Sequence, residues 1–189
     1  TNLTRDHLDY HRDMDDYFAA KARLFSDILV PGGTAVLNAD IPEFAALRKI
    51  CDKRGVSVLD YGRKARALKL CARQALPQGQ DIEIEAQGRR YKAVLPLVGE
   101  FMVMNALAAL GLAVAEAPAD HARTAALVQA LGQLRGAPGR LQLVPGHPKA
   151  AIYVDYAHTP DALENILNAL RPHTAGKLWC VFGCGGDRD

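Results

Sequence analysis

The sequence has little of several things that would mark a protein class at once. Its 4 cysteines in 189 residues are too few and too scattered for a disulfide scaffold. An excess of one charge is missing too: 23 Lys+Arg against 21 Asp+Glu leave a formal charge of +2, too balanced for a broad nucleic-acid-binding face. No apolar run reaches the roughly 18 residues that a spanning helix needs. There is no initiator Met, no basic-then-apolar leader, no internal repeat and no low-complexity tract. What is present is a composition 49% hydrophobic and 23% charged, enough apolar material for a packed core and incompatible with a disordered tail. The length suits one ordinary domain or parts of two. Both ends read as cut, since the chain opens without Met and stops inside the glycine-rich run Cys-Gly-Gly-Asp-Arg-Asp189. The expectation is a piece of a larger protein.

Cys51, Cys71, Cys180 and Cys184 lack C-x-x-C ligand spacing and sit in apolar or strand-like surroundings, which predicts buried free thiols in a reducing compartment. A metal shared by Cys180 and Cys184 has no further His or Cys pair to complete it.

Periodicity predicts helix, strand, helix, strand over the first third: a helix from Met14 to Ile28, a strand Thr34–Leu37, a helix Pro42–Arg54 with Asp40 as its N-cap, and a strand Val56–Leu59. That order favours crossover units and a parallel sheet. Strands at Ala67–Arg73, Asp81–Ala86 and Arg89–Leu95 follow, the last two joined by Gln87-Gly88, and read as a small antiparallel insertion. Two helices follow, Phe101–Glu116 and His121–Leu134. Gly136-Ala-Pro138-Gly139 is the best linker, and beyond it the pattern restarts with strands Leu141–Val144 and Ala151–Val154, a helix Asp161–Leu170 and a strand Leu178–Phe182. The fold class is α/β, divided at 1–139 and 140–189.

Four clusters can carry chemistry. Thr4-Arg-Asp-His-Leu-Asp-Tyr-His11 packs Asp6, His7, Asp9 and His11 together, a set able to hold a divalent cation or simply to form a solvated, N-capping turn. The i, i+4 histidines invite comparison with H-E-x-x-H zinc hydrolases, but no glutamate follows His7. Lys21 has Tyr17, Phe18, Leu24 and Phe25 at i−4, i−3, i+3 and i+4, so its amine emerges on an apolar stripe. Either it snorkels to water, or it is partly desolvated and nucleophilic, able to take up CO2 as a metal-binding carbamate. Val154-Asp-Tyr-Ala-His-Thr-Pro-Asp-Ala-Leu163 sets Asp155 and His158 at a strand end before a helix, where anions gather; Thr159 or Asp161 caps that helix. Val181-Phe-Gly-Cys-Gly-Gly-Asp-Arg188 is a glycine-rich turn that forms an anion nest or an ordinary tight turn, and is not a G-x-x-x-x-G-K-[ST] loop.

In order, Thr1-Asn-Leu-Thr-Arg-Asp-His-Leu-Asp-Tyr-His11, Tyr17-Phe-Ala-Ala-Lys-Ala22, Gly139-Arg140, Asp155-Tyr-Ala-His-Thr-Pro-Asp-Ala-Leu163 and Phe182-Gly-Cys-Gly-Gly-Asp-Arg-Asp189 resemble the Mur ligases over the full chain. The resemblance implies the later part of a central ATPase domain over 1–139 and the start of a Rossmann-like C-terminal domain over 140–189. It implies a cytoplasmic bacterial enzyme of peptidoglycan synthesis, monomeric when whole, with ATP and Mg2+. The implied reaction adds a diamino acid, meso-diaminopimelate or L-lysine, to UDP-N-acetylmuramoyl-L-Ala-D-Glu through an acyl phosphate. His7 and Lys21, the latter as a carbamate, match the metal-binding positions. Asn105, Arg140, Asp155 and His158 match nucleotide contacts, Arg188 falls toward the incoming amino acid, and Asn2, Thr4 and Arg5 lie beside the UDP-muramoyl-peptide channel. Two departures stand out: Met102 where the family often has Asn, and Arg12 where Gly is common. Other readings stay open: a folylpolyglutamate or cyanophycin synthetase relative, a noncatalytic nucleotide-binding module, or a hydrolase using His7, Asp9 and His11. By itself the chain is expected to be inactive, because it contains no phosphate loop.

Overall fold

A computed structural model describes residues 3, 11–147 and 149–183. Helix α1, Met14–Arg23, starts where the Asp13 carboxylate accepts the Asp16 N–H at 2.8 Å, and it carries Asp15 and Asp16 in its first turn and Lys21 and Arg23 in its last. It runs on as a π turn, Leu24–Ile28, closed by Leu29 N–H donating to Leu24 O at 2.9 Å. Strand β1, Thr34–Asn38, pairs in parallel with β2, Ser57–Gly62, through the crossover helix α2, Phe44–Arg54. Gly55 ends α2 in the left-handed region at φ 67°, which glycine adopts without cost from a Cβ.

Asp40 does not cap α2, contrary to the sequence expectation. The helix begins two residues later, behind Glu43, which makes no side-chain cap. The Asp40 oxygens instead accept the N–H groups of Arg63 and Lys64, each at 2.8 Å. A long-range pair of backbone donors outcompetes the local one.

The expected antiparallel insertion is continuous with the parallel part. Strand β3, Leu68–Leu76, is parallel to β2 at Tyr61–Leu68 and Gly62–Lys69, then antiparallel to β4, Gly79–Ala86, which pairs with β5, Arg89–Leu95. One five-stranded mixed sheet results, in the order β1-β2-β3-β4-β5. Gln87 and Gly88, both at positive φ (54° and 72°), make the β4–β5 hairpin turn.

Helix α3, Glu100–Ala115, lies across one face of the sheet with α4, His121–Ala130, beside it. Their core joins Leu59, Leu68, Ile84, Leu95, Val103, Leu107 and Val128. On the other side of β1, Ala22, Leu37, Leu47 and Cys51 form a second cluster with Phe18 and Phe25.

Beyond Gly139 the chain forms a two-stranded antiparallel ribbon, β6, Gln142–Val144, with β7, Ile152–Val154, followed by α5, Pro160–Leu170. Of the two caps the sequence left open, the Thr159 hydroxyl takes Ala162 N–H, and the helix starts one residue earlier than expected, with Pro160 in its first turn. Val98 and Met102 pack with Leu141 and Leu170, so an apolar cluster joins this segment to the start of α3. The expected strand Leu178–Phe182 does not form: no described strand lies beside it to take its N–H and C=O groups, and Trp179, Val181 and Phe182 are exposed. Cys51 is buried as expected, but Cys71 is half-buried and Cys180 exposed.

Candidate functional site

The first constellation stands at the start of α1. His11 Nδ1 lies 3.2 Å from Asp16 Oδ2, and the Arg12 N–H reaches the same oxygen at 3.4 Å. The hydrogen bond from His11, then that from Arg12, holds the Asp16 carboxyl below the usual range. The buried Tyr17 ring has the His11 ring centroid at 5.1 Å and the Lys21 Nζ at 5.2 Å from its centre.

Lys21 is exposed, not desolvated. The arc of the helix that faces the core runs through Phe18, Ala22, Phe25 and Leu29, and Lys21 stands at its edge. Its amine is open to solvent and to CO2. Of the other residues expected here, Asn2, Thr4, Arg5, Asp6, His7 and Asp9 lie outside the described residues, as do Cys184 and Arg188. Among the described residues no group of three or more His, Cys, Asp or Glu side chains is placed to hold a metal ion. Magnesium prefers oxygen ligands. An exposed lysine amine fits such a site only after conversion to a carbamate.

The second constellation gathers Arg140, Asp155 and His158 around Tyr156. The Arg140 guanidinium lies 5.7 Å from the Tyr156 ring centre, and the His158 ring meets that ring edge-on at 5.0 Å. The backbone holds them in place: Tyr156 N–H donates to Gly139 O at 2.9 Å, and His158 Nδ1 lies 2.9 Å from Tyr156 O. A carbonyl only accepts, so Nδ1 carries the proton and Nε2 remains available. Asp155 is turned inward to the chain itself. Its two oxygens accept Leu141 N–H and Ala157 N–H, each at 2.8 Å. Tyr156, the hub, was not singled out from sequence, although it sits inside the motif.

Asn105 is exposed on α3. At the start of that helix, Glu100 Oε1 takes Arg63 Nη2 at 2.7 Å, and Oε2 lies 3.6 Å from Arg73 Nη2. The β2–β3 loop, at the carboxyl ends of the parallel strands, is fixed by Asp40 and by the buried Asp60, which accepts Arg66 and Ala67 N–H. Gly62 is required there, because a Cβ would stand 2.5 Å from Asp40 Oδ2. Arg63, Lys64 and Arg66 are thereby displayed on a rigid loop, a feature that carried no motif in sequence.

A twisted mixed sheet with a ribbon-and-helix segment docked beyond it, and two polar constellations along the way, defines a class. The Mur ligase middle domain model matches residues 1–113, and the Mur ligase glutamate ligase domain model matches residues 139–189. The chain belongs to the Mur ligase family. It is 50% identical over 190 aligned residues to the UDP-N-acetylmuramoyl-L-alanyl-D-glutamate–2,6-diaminopimelate ligase of Caulobacter vibrioides, covering 100% of this chain and 38% of that protein. A solved structure of a UDP-N-acetylmuramoyl-L-alanyl-D-glutamate–2,6-diaminopimelate ligase superposes with a TM-score of 0.77 at 37% identity, over 100% of this chain and 38% of that one. The folylpolyglutamate synthetase of Lactobacillus casei shares the fold alone, with a TM-score of 0.64 at 23% identity, over 85% of this chain and 40% of that one. The chain thus spans 38% of the length of the curated relative it matches. Among the described residues no helix is long and apolar enough to cross a membrane.

Proposed function

We propose that the intact protein is an ATP-dependent amide-forming ligase that adds 2,6-diaminopimelate to UDP-N-acetylmuramoyl-L-Ala-D-Glu. The observation that carries this reading is the 50% identity, along the whole chain, to a relative whose name states that pair of reactants. Diaminopimelate is preferred to lysine on the same ground. The chain divides near Gly139, with 1–139 belonging to the central domain and 140–189 to the C-terminal one.

In this reading a carboxylate oxygen of the D-glutamyl residue attacks the γ-phosphorus of ATP. The bond to the β–γ bridging oxygen breaks and ADP leaves. The amine of the diamino acid then adds to the acyl carbon, loses a proton, and expels phosphate carrying the former carboxylate oxygen. An anion attacks an anion in the first step, so positive groups must stand around the phosphates beforehand. Arg140 supplies a permanent charge, oriented by the Tyr156 face, and His158 offers Nε2 beside it. Asp155 holds the turn that carries both. Asn105 contributes a neutral amide on α3. His7 and a carbamylated Lys21 would hold magnesium, which would supply charge screening on the phosphates. Arg188 reaches toward the diamino acid, and Asn2, Thr4 and Arg5 line the UDP-muramoyl-peptide channel.

The test is ligation by the full-length protein, supplied with ATP, Mg2+, the UDP-linked dipeptide and either meso-diaminopimelate or L-lysine. Product mass identifies the amino acid added, and preference for lysine would overturn the assignment. The 189-residue chain by itself, which contains no G-x-x-x-x-G-K-[ST] loop, is expected to form no product.

A further inference from the structure

One buried titratable side chain has no part in the chemistry above. His173, in the 3-10 turn that follows α5, is buried with both ring nitrogens satisfied by backbone groups of distant segments. Nδ1 lies 2.6 Å from Leu76 O at the end of β3, and Nε2 accepts Gly99 N–H at 3.0 Å at the start of α3. These partners are 97 and 74 residues away along the chain. A carbonyl only accepts and an N–H only donates, so the ring is neutral with its proton on Nδ1.

The surface it grips is rigid. The Gly99 carbonyl accepts from Gln80 Nε2 at 2.8 Å, and Gln80 is fully buried, with its second N–H on Leu97 O at 2.8 Å and its Oε1 on Arg73 Nη1 at 2.7 Å. Gly99 itself has φ 88°, and a Cβ there would meet Ala169 of α5 at 3.2 Å. Beside the ring, Val98, Met102, Leu141 and Leu170 close without polar groups of their own. An apolar cluster resists separation but tolerates sliding, because it is non-directional. Two opposed hydrogen bonds from one planar ring do not tolerate it.

We propose that His173 is the positioning residue that sets the segment beyond Gly139 in register with α3, and so fixes where the Arg140–Tyr156–His158 cluster stands relative to Asn105. Its consequence for nucleotide binding rests on the ligase reading; the register itself does not.

The tests separate the two. In the full-length protein, nitrogen NMR should find His173 Nδ1 protonated and Nε2 bare; the opposite tautomer, or averaging of the two, overturns the proposal. Exchange of the Gly99 amide should quicken about tenfold or more in His173→Ala, the scale of one lost hydrogen bond, with Val103 in the same helix unchanged. Glutamine carries a donor and an acceptor on one amide, so His173→Gln should recover most of the protection. Should His173→Ala fail to fold, the wild-type tautomer and His173→Gln decide the matter. Unchanged Gly99 exchange in a folded His173→Ala, or exchange in His173→Gln as fast as in His173→Ala, overturns it. In the full-length enzyme His173→Ala should raise KM for ATP about tenfold with kcat nearly kept, and His173→Gln should restore it. Loss of kcat alone would contradict the role. Absence of ligation in the wild type would sink the ligase reading and leave the NMR result standing.

Discussion

The Asp155 carboxylate accepts the backbone N–H of Leu141 at 2.8 Å, across 14 residues, and so fastens the chain just after Gly139-Arg140 to the end of β7. Leu141 is at positive φ, 45°, unusual for a branched side chain, and is buried in the cluster that joins the two segments. The carboxylate holds a strained residue where the fold needs it.

Removing that carboxylate leaves the Leu141 and Ala157 donors without a partner. Asp155→Ala is expected to destabilise the segment beyond Gly139 by about 1–3 kcal/mol. Amide exchange at Leu141 and Ala157 should accelerate while Ile84 in the sheet stays protected. Asp155→Asn, which keeps one acceptor oxygen, should fall between. Uniform exchange across the chain would show that the carboxylate does not anchor this turn.

Gly111 sits in the middle of α3, where alanine normally gains about 1 kcal/mol. Here a Cβ would stand 2.7 Å from Val36 Cγ1 and 3.2 Å from Leu59 Cδ2, and valine is stiff at χ1. Overpacking costs roughly 1–3 kcal/mol and should outweigh the helix gain. Gly111→Ala is therefore expected to lower the midpoint of urea unfolding. A raised midpoint would mean that α3 can lift from the sheet.

The Asp16 carboxyl titrates below its ordinary value of 3.8, because His11 and Arg12 donate to the charged form. A folded value below the unfolded one stabilises the protein above the unfolded value and ceases to do so as pH falls through the folded one. His11→Ala should return the Asp16 titration toward 3.8, followed by carboxyl carbon NMR, and should raise the pH at which α1 frays. An unmoved Asp16 titration would assign the shift to something other than His11.

Lys21 stands exposed over the Tyr17 ring. In the full-length enzyme Lys21→Ala is expected to reduce ligation by a factor of about a hundred, since the carbamate proposed there as a magnesium ligand could not form. A small carboxylic acid in the buffer should restore part of the activity by standing in for the carbamate. Full activity in the variant would remove Lys21 from the metal site.

The α/β class and most element positions were legible because periodicity is local: alternation in Ile82-Glu-Ile-Glu-Ala and the turn signal Gln87-Gly88 needed no tertiary information. What escaped was set by distant partners. Asp40 looked like a helix cap until Arg63 and Lys64 claimed it, and Leu178–Phe182 looked like a strand although no described strand accompanies it. Arg140, Asp155 and His158 stood out as motif residues, and the structure brings them together around Tyr156. The spacing of Lys21 left open whether its amine snorkels to water or is partly desolvated; it is exposed, one helical step from the arc that faces the core. His173 could not be found at all, because nothing near it in sequence hints at Leu76 or Gly99.

The most direct measurement of the central claim follows the oxygen. The UDP-linked dipeptide, labelled with 18O in the D-glutamyl side-chain carboxylate, is ligated to 2,6-diaminopimelate by the full-length enzyme with ATP. Transfer of label from the carboxylate into the released inorganic phosphate, with ADP as the other product, is the predicted result. Unlabelled phosphate, or release of AMP, would contradict an acyl phosphate and with it the role given to the cluster at Arg140 and His158.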